Sequence, residues 1–275
     1  MKPPPATSPA PPAPLSQESI LKELTTGRFG RTLFFFPVVD STNETLRGLA
    51  GRGAEEGTVV VADTQLQGRG RRGRQWFSPA GEGIFLSLLL RPRHAPAKCS
   101  GIALLAAAAV SRAIEDQTGL RTEVKWPNDI LLGGRKVGGI LAETGGDETG
   151  ERYLVLGIGI NVGGGEFPPE LEDRAVSLRM AGAKNPDRPG LIAAILGRLE
   201  KLYRVFQGSG DLSPALDFCR DRSATLGRRV RAVGPGGEIS GLALDLTEEG
   251  GLRLRRDTGE ELVVMSGEVT LSPAG

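Results

Sequence analysis

The segment of residues 67–76 constrains the fold more than any other, because four of its residues are arginine and three are glycine. Arginine is seldom buried without a partner and glycine adds no side chain to a core, so this segment cannot be packed inside the protein. Strand-like apolar runs lie on both sides of it, at residues 58–62 and 83–91. We therefore expect residues 67–76, called the arginine loop from here on, to be held between two strands of one sheet.

The composition of the arginine loop suits a bound anion. Glycines let backbone N–H groups come close to an anion, and guanidinium groups bind phosphate and carboxylate oxygens in pairs. Taken alone, such a composition is also compatible with a solvated, flexible loop or a nucleic-acid-binding segment. The whole chain has a net charge of only +1, which argues against a basic surface that binds nucleic acid in general.

The length and composition indicate a globular protein. The chain has 275 residues, of which 39% are hydrophobic and 24% charged, enough for one large domain and a small one. No apolar run reaches the ~18 residues that a membrane span needs, and the first residues lack a signal-sequence core. We therefore predict a cytoplasmic protein with no membrane partner.

The cysteines and the single histidine offer little support for other chemistry. Cys99 and Cys219 lie far apart and have no metal-type or redox-type spacing, so we predict two buried thiols in a reducing compartment. His94 lies in a proline-flanked segment that predicts an exposed loop. A Ser-His-Asp triad or a multi-histidine metal site would have to be built around this one residue.

Local patterns predict a mixture of helices and strands. Seven prolines among the first 14 residues predict a disordered tail, which we assign to residues 1–15. A larger domain should span residues 16–223. Short β-like runs between glycine turns begin at residue 227 and predict a small β-barrel in a C-terminal domain of residues 224–275. Helices are predicted at residues 15–25, 40–49, 101–116 and 189–206, with a further one that starts at Ser213; Ser16 is the predicted N-cap of the first. Strands are predicted at residues 32–39, 58–62, 83–91 and 153–162, with a hairpin at 130–142, and the strand at 32–39 is predicted to be buried.

Lys125 is a candidate group at a reacting centre. It lies between Val124 and Trp126 and precedes a rigid Pro-Asn-Asp turn, so it is better fixed than most lysines; a surface strand residue is the alternative. Asp129 either holds a Mg²⁺ ion or caps that turn, and its local sequence favours capping. Lysine and arginine here suit a reaction in which a carboxylate attacks the α-phosphate of a nucleotide, because they neutralise the charge that builds up.

Five motifs occur in order between residues 35 and 271. They are DSTN at 40–43, Gln65 with GRGRRGR at 68–74 and WFSP at 76–79, KWPND at 125–129, KVGGIL at 136–141, and GIGIN at 157–161. The GIGIN segment alone predicts either a glycine-tolerant core strand or a strand that lines a ligand pocket. In this ordered set the chain resembles biotin protein ligases, also called biotin–acetyl-CoA-carboxylase ligases.

The resemblance implies a reaction in two steps. Biotin and ATP, with Mg²⁺, give biotinyl-5′-AMP, which a lysine of a carrier protein then attacks. The implied carrier is the biotin carboxyl carrier protein of acetyl-CoA carboxylase or a related carboxylase. The implied catalytic residues are Lys125, Arg71 and Arg69, with no protein residue assigned as a metal ligand. The implied biotin-binding residues are Ser41, Thr42, Asn43, Gln65, Arg69, Gly70, Arg71, Lys125, Gly138 and Gly139, and the implied adenylate- or ATP-binding residues are Arg71, Arg74, Trp76, Lys125, Asn128, Lys136 and Asn161.

The fold implied by the resemblance is α+β. A mixed β-sheet catalytic domain flanked by helices, as in class II synthetase-like biotin and lipoate ligases, should precede a C-terminal SH3-like β-barrel. Ligases that also repress the biotin operon carry an N-terminal winged helix, for which the residues before position 40 are too few, so we expect neither repressor activity nor a nucleic-acid partner. A lipoate–protein ligase, or an RNA-binding protein that uses the arginine loop, is the alternative. Both a monomer and a homodimer are compatible with the sequence.

Overall fold

The computed structural model describes residues 14–234 and 237–271. The helices are α1 (Gln17–Glu23), α2 (Thr42–Gly51), α3 (Pro96–Cys99), α4 (Ile102–Thr118), α5 (Arg188–Ser209) and α6 (Ser213–Asp221), with a 3-10 turn at Arg71–Gly73. The strands are β1 (Leu33–Val39), β2 (Val59–Gln65), β3 (Gly83–Leu90), β4 (Glu123–Lys125), β5 (Asp129–Leu132), β6 (Arg135–Gly146), β7 (Arg152–Asn161), β8 (Arg229–Gly234), β9 (Gly237–Leu246), β10 (Leu252–Arg255), β11 (Glu261–Val264) and β12 (Glu268–Leu271).

Seven strands form the main sheet, in the order β1-β2-β3-β7-β6-β5-β4. β1 and β2 are parallel and the other neighbouring pairs are antiparallel, so the sheet is mixed, as predicted. Side chains alternate between its two faces. Leu86 and Leu88 of β3 pack into the large core that contains α4 and α5, whereas Leu89 packs with Leu46 of α2 and Val155 of β7. We call the face that carries α2 the α2 face.

The start of the described chain is fixed by a capping box. Ser16 Oγ accepts a hydrogen bond from the Ser19 N–H (3.1 Å), and Ser19 Oγ accepts one from the Ser16 N–H (2.9 Å). Ser16 is therefore the N-cap of α1, as predicted. Residues 1–13 of the predicted tail lie outside the described residues. Leu15, which the tail prediction included, is buried in the core, so that part of the prediction is wrong.

The strand predicted at residues 32–39 is present as β1, but the prediction that it is buried is wrong. β1 lies at the edge of the main sheet, and 39% of Phe34 and 51% of Val38 are exposed. Pro37 has no partner in the register with β2, in which Phe36 pairs with Ala62 and Val38 with Thr64. Proline cannot donate to a ladder and is tolerated mainly at sheet edges. An apolar run therefore stands at the rim of the sheet.

The apolar helix predicted at 101–116 is α4, which ends at Gly119 with φ 72° in the left-handed region. Among the described residues, the stretch Pro96–Thr118 is the one helical segment long and apolar enough to cross a membrane by length and composition. About two thirds of it (67%) is buried inside the protein. Because α4 packs against β4, β5, β6 and α5, we assign it to the core of the main domain.

The C-terminal strands form a second, antiparallel sheet in the order β11-β10-β9-β8-β12. The sequence predicts a small SH3-like β-barrel for this domain; among residues 14–234 and 237–271, β11 and β12 do not pair with each other, so no closed barrel forms.

Trp126 joins the two sheets. Its backbone N–H donates to Thr225 Oγ1 (3.0 Å), and its indole Nε1–H donates to the Gly250 carbonyl oxygen (2.9 Å). Next to it, the Val124 N–H donates to the Arg222 carbonyl oxygen (2.7 Å). These bonds fix the KWPND segment, so Lys125 stands at the junction of the two sheets.

Candidate active site

The floor of the candidate site is a strip of glycines on the α2 face of the main sheet. In the β6–β7 ladder, Gly139 pairs with Gly159. A Cβ atom on Gly159 would lie 2.6 Å from Trp76 Cε2, and one on Gly139 would lie 2.9 Å from Trp76 Cζ3. A Cβ atom on Gly157 would overlap Asn43 Oδ1. The absence of side chains therefore lets Trp76 and Asn43 lie flat against the strands, so of the two interpretations of GIGIN the geometry favours the strand that lines a pocket.

A polar wall stands beside this floor, where β1 and β2 end. Ser41 is the N-cap residue of α2 but makes no side-chain cap bond, and its side chain is buried. The N–H and the Oγ1–H of Thr42 both donate to Gln65 Oε1, at 2.9 and 3.1 Å, and Gln65 Nε2 donates to Ser78 Oγ (3.0 Å). The structure thus brings together the predicted residues Thr42, Asn43 and Gln65 in one network.

Ser87 belongs to this wall, and sequence reasoning missed it. Its Oγ lies 2.5 Å from Asn43 Oδ1, to which it donates, and 2.8 Å from Thr42 Oγ1. Ser87 is completely buried on the α2 face of β3. The available signal was a lone hydroxyl in the otherwise apolar run 83–90, because a buried polar side chain needs partners.

The arginine loop lies between β2 and β3, as predicted. Within the loop the backbone forms a short hairpin. Arg69 and Gln75 form an antiparallel bridge, and the Gly70 N–H donates to the Arg74 carbonyl oxygen (2.7 Å). Arg72 lies at the tip with φ 58°.

The arginines of the loop point to two different places. Arg69 pairs with Glu44 of α2 and, at 3.3 Å, with Glu143 of β6. Arg71 Nη1 donates to Asn128 Oδ1 (3.1 Å) on the far side of the floor. Arg72 and Arg74 pair with Glu268 of the C-terminal sheet, Arg72 at 3.8 Å. The loop thus separates Arg69 from the other three guanidinium groups.

A cluster of charges surrounds Arg71. Burial lowers the pKa of the Arg71 guanidinium from its ordinary value, while the carboxylates of Asp129 and Glu268 act in the opposite direction. The hydrogen bond from Arg74 is the main cause that lowers the pKa of Glu268, and the positive charges of Arg72 and Lys125 lower it further. Lys125, predicted from its sequence context, therefore lies in the same electrostatic neighbourhood as the loop arginines.

Trp76 and Lys136 close the cluster over the floor. Lys136 Nζ lies 2.5 Å from Asp129 Oδ1 and 5.2 Å from the centroid of the Trp76 ring, a cation–π distance. Asn161 Nδ2 lies within hydrogen-bond distance of two backbone oxygens, those of Lys136 (3.3 Å) and Val176 (3.2 Å). Trp76 Nε1 is buried against Gly159 and has no hydrogen-bond partner among the described residues.

Asp129 is ion-paired with Lys136, and the residues that the structure describes contain no group of three His, Cys, Asp or Glu side chains that could hold a metal ion. His94 and the cysteines are not part of the site. His94 is half-buried, against the prediction of an exposed loop residue, because its ring packs on Phe206 (centroids 4.8 Å apart) with Nε2 2.7 Å from the Phe206 oxygen. Cys219 is buried as predicted, whereas Cys99 is half-exposed, and both are free thiols.

Two segments of the sequence match known protein families. Residues 35–161 match the biotin/lipoate A/B protein ligase family, and residues 225–272 match the biotin protein ligase C-terminal domain. The class is therefore that of ligases which share the biotin/lipoate ligase domain.

The relatives narrow the class. The chain is 41% identical over 250 residues to the bifunctional ligase/repressor BirA of Bacillus subtilis, covering 90% of this chain and 77% of that one. It is 36% identical over 261 residues to the biotin–acetyl-CoA-carboxylase ligase of Mycobacterium tuberculosis, covering 92% and 94%. The structure of the biotin protein ligase from Aquifex aeolicus in complex with biotin and ATP superposes with a TM-score of 0.76 at 32% identity, covering 89% and 100%. The chain belongs to the biotin protein ligases and is an enzyme of that family.

Proposed function

We propose that this protein activates biotin with ATP to form biotinyl-5′-AMP and transfers the biotinyl group to a lysine of a biotin carboxyl carrier protein. The observation that carries the proposal is the shared floor: the glycine strip runs from the polar wall to the cation cluster around Arg71, Lys125 and Lys136. A ligand with a polar head at one end and a reacting carboxylate at the other matches this layout.

In the first step, the biotin carboxylate attacks the α-phosphorus of ATP and pyrophosphate leaves. Both reactants are anions, so the step requires positive groups that reduce their repulsion and stabilise the charge on the phosphoryl oxygens. Arg71 and Lys125 are placed to do this, in a position that Asn128 and the junction at Trp126 hold fixed. Fixed cations cost little reorganisation when the reaction occurs.

The polar wall is proposed to bind the ureido ring of biotin. Ser41, Thr42, Asn43 and Gln65 supply donors and acceptors there, together with the backbone at Gly138 and Gly139. The polar groups of this buried wall are hydrogen-bonded to one another, so a ligand must replace the hydrogen bonds that it breaks. An apolar head group has no donors or acceptors with which to do this and is rejected. This requirement favours biotin over lipoate, whose dithiolane ring lacks the N–H and carbonyl groups of a urea.

Mg²⁺ is expected to enter as a partner of the ATP phosphates. Mg²⁺ commonly takes one or two protein carboxylates and completes its shell with phosphate oxygens and water. Asp129 and Glu268 are the carboxylates near Arg71, and each is paired with a cation. The donor set therefore fits an ion held mainly by the nucleotide, whose positive charge would add to that of the arginines.

The second step uses a nucleophile from the partner. The lysine amine of the carrier attacks the mixed anhydride and AMP leaves, so the ligase itself needs no covalent nucleophile. His94 packs on Phe206 and is not part of the site, which agrees with a nucleophile that comes from the carrier and not from the ligase. Closure of the arginine loop over the adenylate would exclude water from a hydrolysable bond.

The direct test is biotin-dependent exchange of labelled pyrophosphate into ATP, with lipoate as a parallel substrate and no carrier protein present. Exchange with biotin alone is expected. Exchange with lipoate alone would move the assignment to a lipoate ligase. No exchange with either substrate, combined with salt-sensitive binding of RNA, would overturn the proposal in favour of the nucleic-acid alternative.

A further inference from the structure

Glu143 contacts both the polar wall and the arginine loop, and the proposed reaction gives it no role. It lies on β6, opposite Val155 of β7, on the α2 face of the main sheet. Only 19% of its side chain is exposed. A carboxylate this strongly enclosed is held by partners, since its charge otherwise opposes burial.

Three elements meet at this carboxylate. Its Oε2 accepts a hydrogen bond from Asn43 Nδ2 (2.8 Å), which belongs to the polar wall. Its Oε1 lies 3.2 Å from Arg47 Nη2 of α2 and 3.3 Å from Arg69 Nη2 of the arginine loop. Glu44 of α2 pairs with the same two arginines, but its carboxylate makes no hydrogen bond with the Asn43 side chain.

The ionised carboxylate also decides how Asn43 is oriented. Because it can only accept, it selects the amide NH₂ of Asn43 and leaves Asn43 Oδ1 facing the Ser87 hydroxyl at 2.5 Å. A glutamine at position 143 could accept from the Asn43 NH₂ group or donate to Asn43 Oδ1. The carboxylate's selection of one orientation of Asn43 would then be lost.

We propose that Glu143 is a positioning residue that couples the polar wall to the arginine loop. The inference rests on the proposed function. Through Asn43 it sets the donors and acceptors offered to biotin, and through Arg69 it holds the loop that covers the adenylate. Occupation of the wall and closure of the loop are then linked by one carboxylate, which acts through Asn43 and Arg69.

The test compares Glu143→Gln with two controls. Glu44→Gln removes the other acid of the arginine network, whose carboxylate makes no hydrogen bond with the Asn43 side chain. Glu148→Gln changes an exposed acid at the tip of the β6–β7 hairpin. Two quantities are measured for each variant: the KM for biotin in pyrophosphate exchange, and the rate at which bound biotinyl-5′-AMP is lost. Melting temperatures establish that each variant is folded.

Glu143→Gln should raise the biotin KM and the rate of adenylate loss, each by about tenfold, as expected for loss of a charge-assisted hydrogen bond. Glu44→Gln should accelerate adenylate loss and leave the biotin KM within twofold, and Glu148→Gln should change neither. An effect of Glu143→Gln on only one quantity, or on neither, would overturn the coupling.

A readout that does not depend on activity separates this inference from the proposed function. Trypsin cleavage within residues 69–74, followed by mass spectrometry, should be slowed by biotin in the wild type and not in Glu143→Gln. Equal protection of both proteins would overturn the inference, whereas absence of pyrophosphate exchange in the wild type would overturn only the proposed function. If Glu143→Gln does not fold, Glu143→Asp serves instead: its shorter side chain keeps the charge but should not reach both Asn43 and Arg69, and wild-type behaviour of that variant would contradict the proposal.

Discussion

Lys125 and Arg71 reach the charge cluster around Glu268 from two different elements. Lys125 ends the edge strand β4 and lowers the pKa of Glu268 on the C-terminal sheet, while Arg71 comes from the arginine loop and is tied to Asn128. Both contribute positive charge near Glu268, but they belong to different parts of the fold. Their loss should therefore affect different properties of the enzyme.

Lys125→Ala should slow pyrophosphate exchange by about a hundredfold, because it removes a fixed charge that stabilises the reacting oxygens. The melting temperature should change little, since Lys125 is half-buried on an edge strand. Exchange kinetics and a thermal melt of the same preparation measure the two effects. Turnover equal to that of the wild type would refute the role of Lys125.

Arg71→Ala should shorten the lifetime of bound biotinyl-5′-AMP by about tenfold, because the hydrogen bond to Asn128 that holds the loop over the site is lost. Release and hydrolysis of pre-formed adenylate are followed by chromatography. Arg121→Ala, which changes an exposed arginine elsewhere, is the control. Equal retention by Arg71→Ala and the control would remove Arg71 from the mechanism.

Residue chemistry was predictable where it depended on local composition. The positive charge of the loop, and the prediction that Lys125 is held in a fixed position, follow from residues next to one another in the chain. Glu268 and Glu143 were not predictable in this way, because they meet the loop only after folding, with 194 residues separating Arg74 from Glu268. No local pattern distinguishes these acids from the other carboxylates of the chain.

At the scale of elements, the glycine strip of β6 and β7 sets the depth of the site. Gly159→Ala should weaken retention of the adenylate by about tenfold, because its Cβ would lie 2.6 Å from Trp76 and displace the ring. Gly197→Ala is the matched control, since no atom lies within 4 Å of the added methyl group and alanine favours the helix α5. The measurements are adenylate retention and melting temperature. Retention equal to that of the control would show that the strip does not shape the pocket.

The β6–β7 hairpin carries a prediction about pH. Asp147 accepts hydrogen bonds from the Thr149 hydroxyl (2.6 Å) and from two backbone N–H groups, and it pairs with Arg91, which lower its pKa to about 2. Its folded-state pKa lies below the unfolded value of ~3.9. The stabilisation it provides is therefore present above that value and is lost as the pH falls through about 2.

Carboxyl NMR shifts recorded against pH should show Asp147 ionised down to about pH 2. Thr149→Ala removes the principal hydrogen bond and should move the midpoint upward. A wild-type midpoint near ~3.9 would contradict the described hairpin.

Element types were easier to predict than element positions. The N-cap at Ser16 is a local signal, and it was identified from the sequence. The apolar run of β1 was predicted to be buried, because composition does not distinguish an edge strand from a central one. Its edge position depends on the order of strands, which is a property of the whole sheet.

At the scale of the molecule, Trp126 connects the main sheet to the C-terminal sheet. Trp126→Phe keeps most of the buried ring but leaves the Gly250 carbonyl without its donor, so the free energy of unfolding should fall by ~1–2 kcal/mol. Trp76→Phe is the matched control, because the Nε1 of Trp76 has no partner among the described residues. Urea titration of both variants measures the difference. Equal losses would show that the Trp126 bond does not join the sheets energetically.

The order of strands in the C-terminal sheet marks the limit of sequence reasoning at this scale. Alternating runs and glycine turns identify strands, and the structure has them. Whether such strands close into a barrel depends on pairing between β11 and β12, which no local pattern specifies.

Pro37 limits pairing between the edge strand β1 and strands of other molecules, which matters when the protein is concentrated. A free strand with exposed Phe34 and Val38 is a template on which another chain can add its own backbone, molecule after molecule. Proline offers no N–H at the middle of that template, so a visiting strand cannot form an uninterrupted ladder along it. The proline ring in β1 therefore opposes aggregation by strand addition at this edge of the sheet.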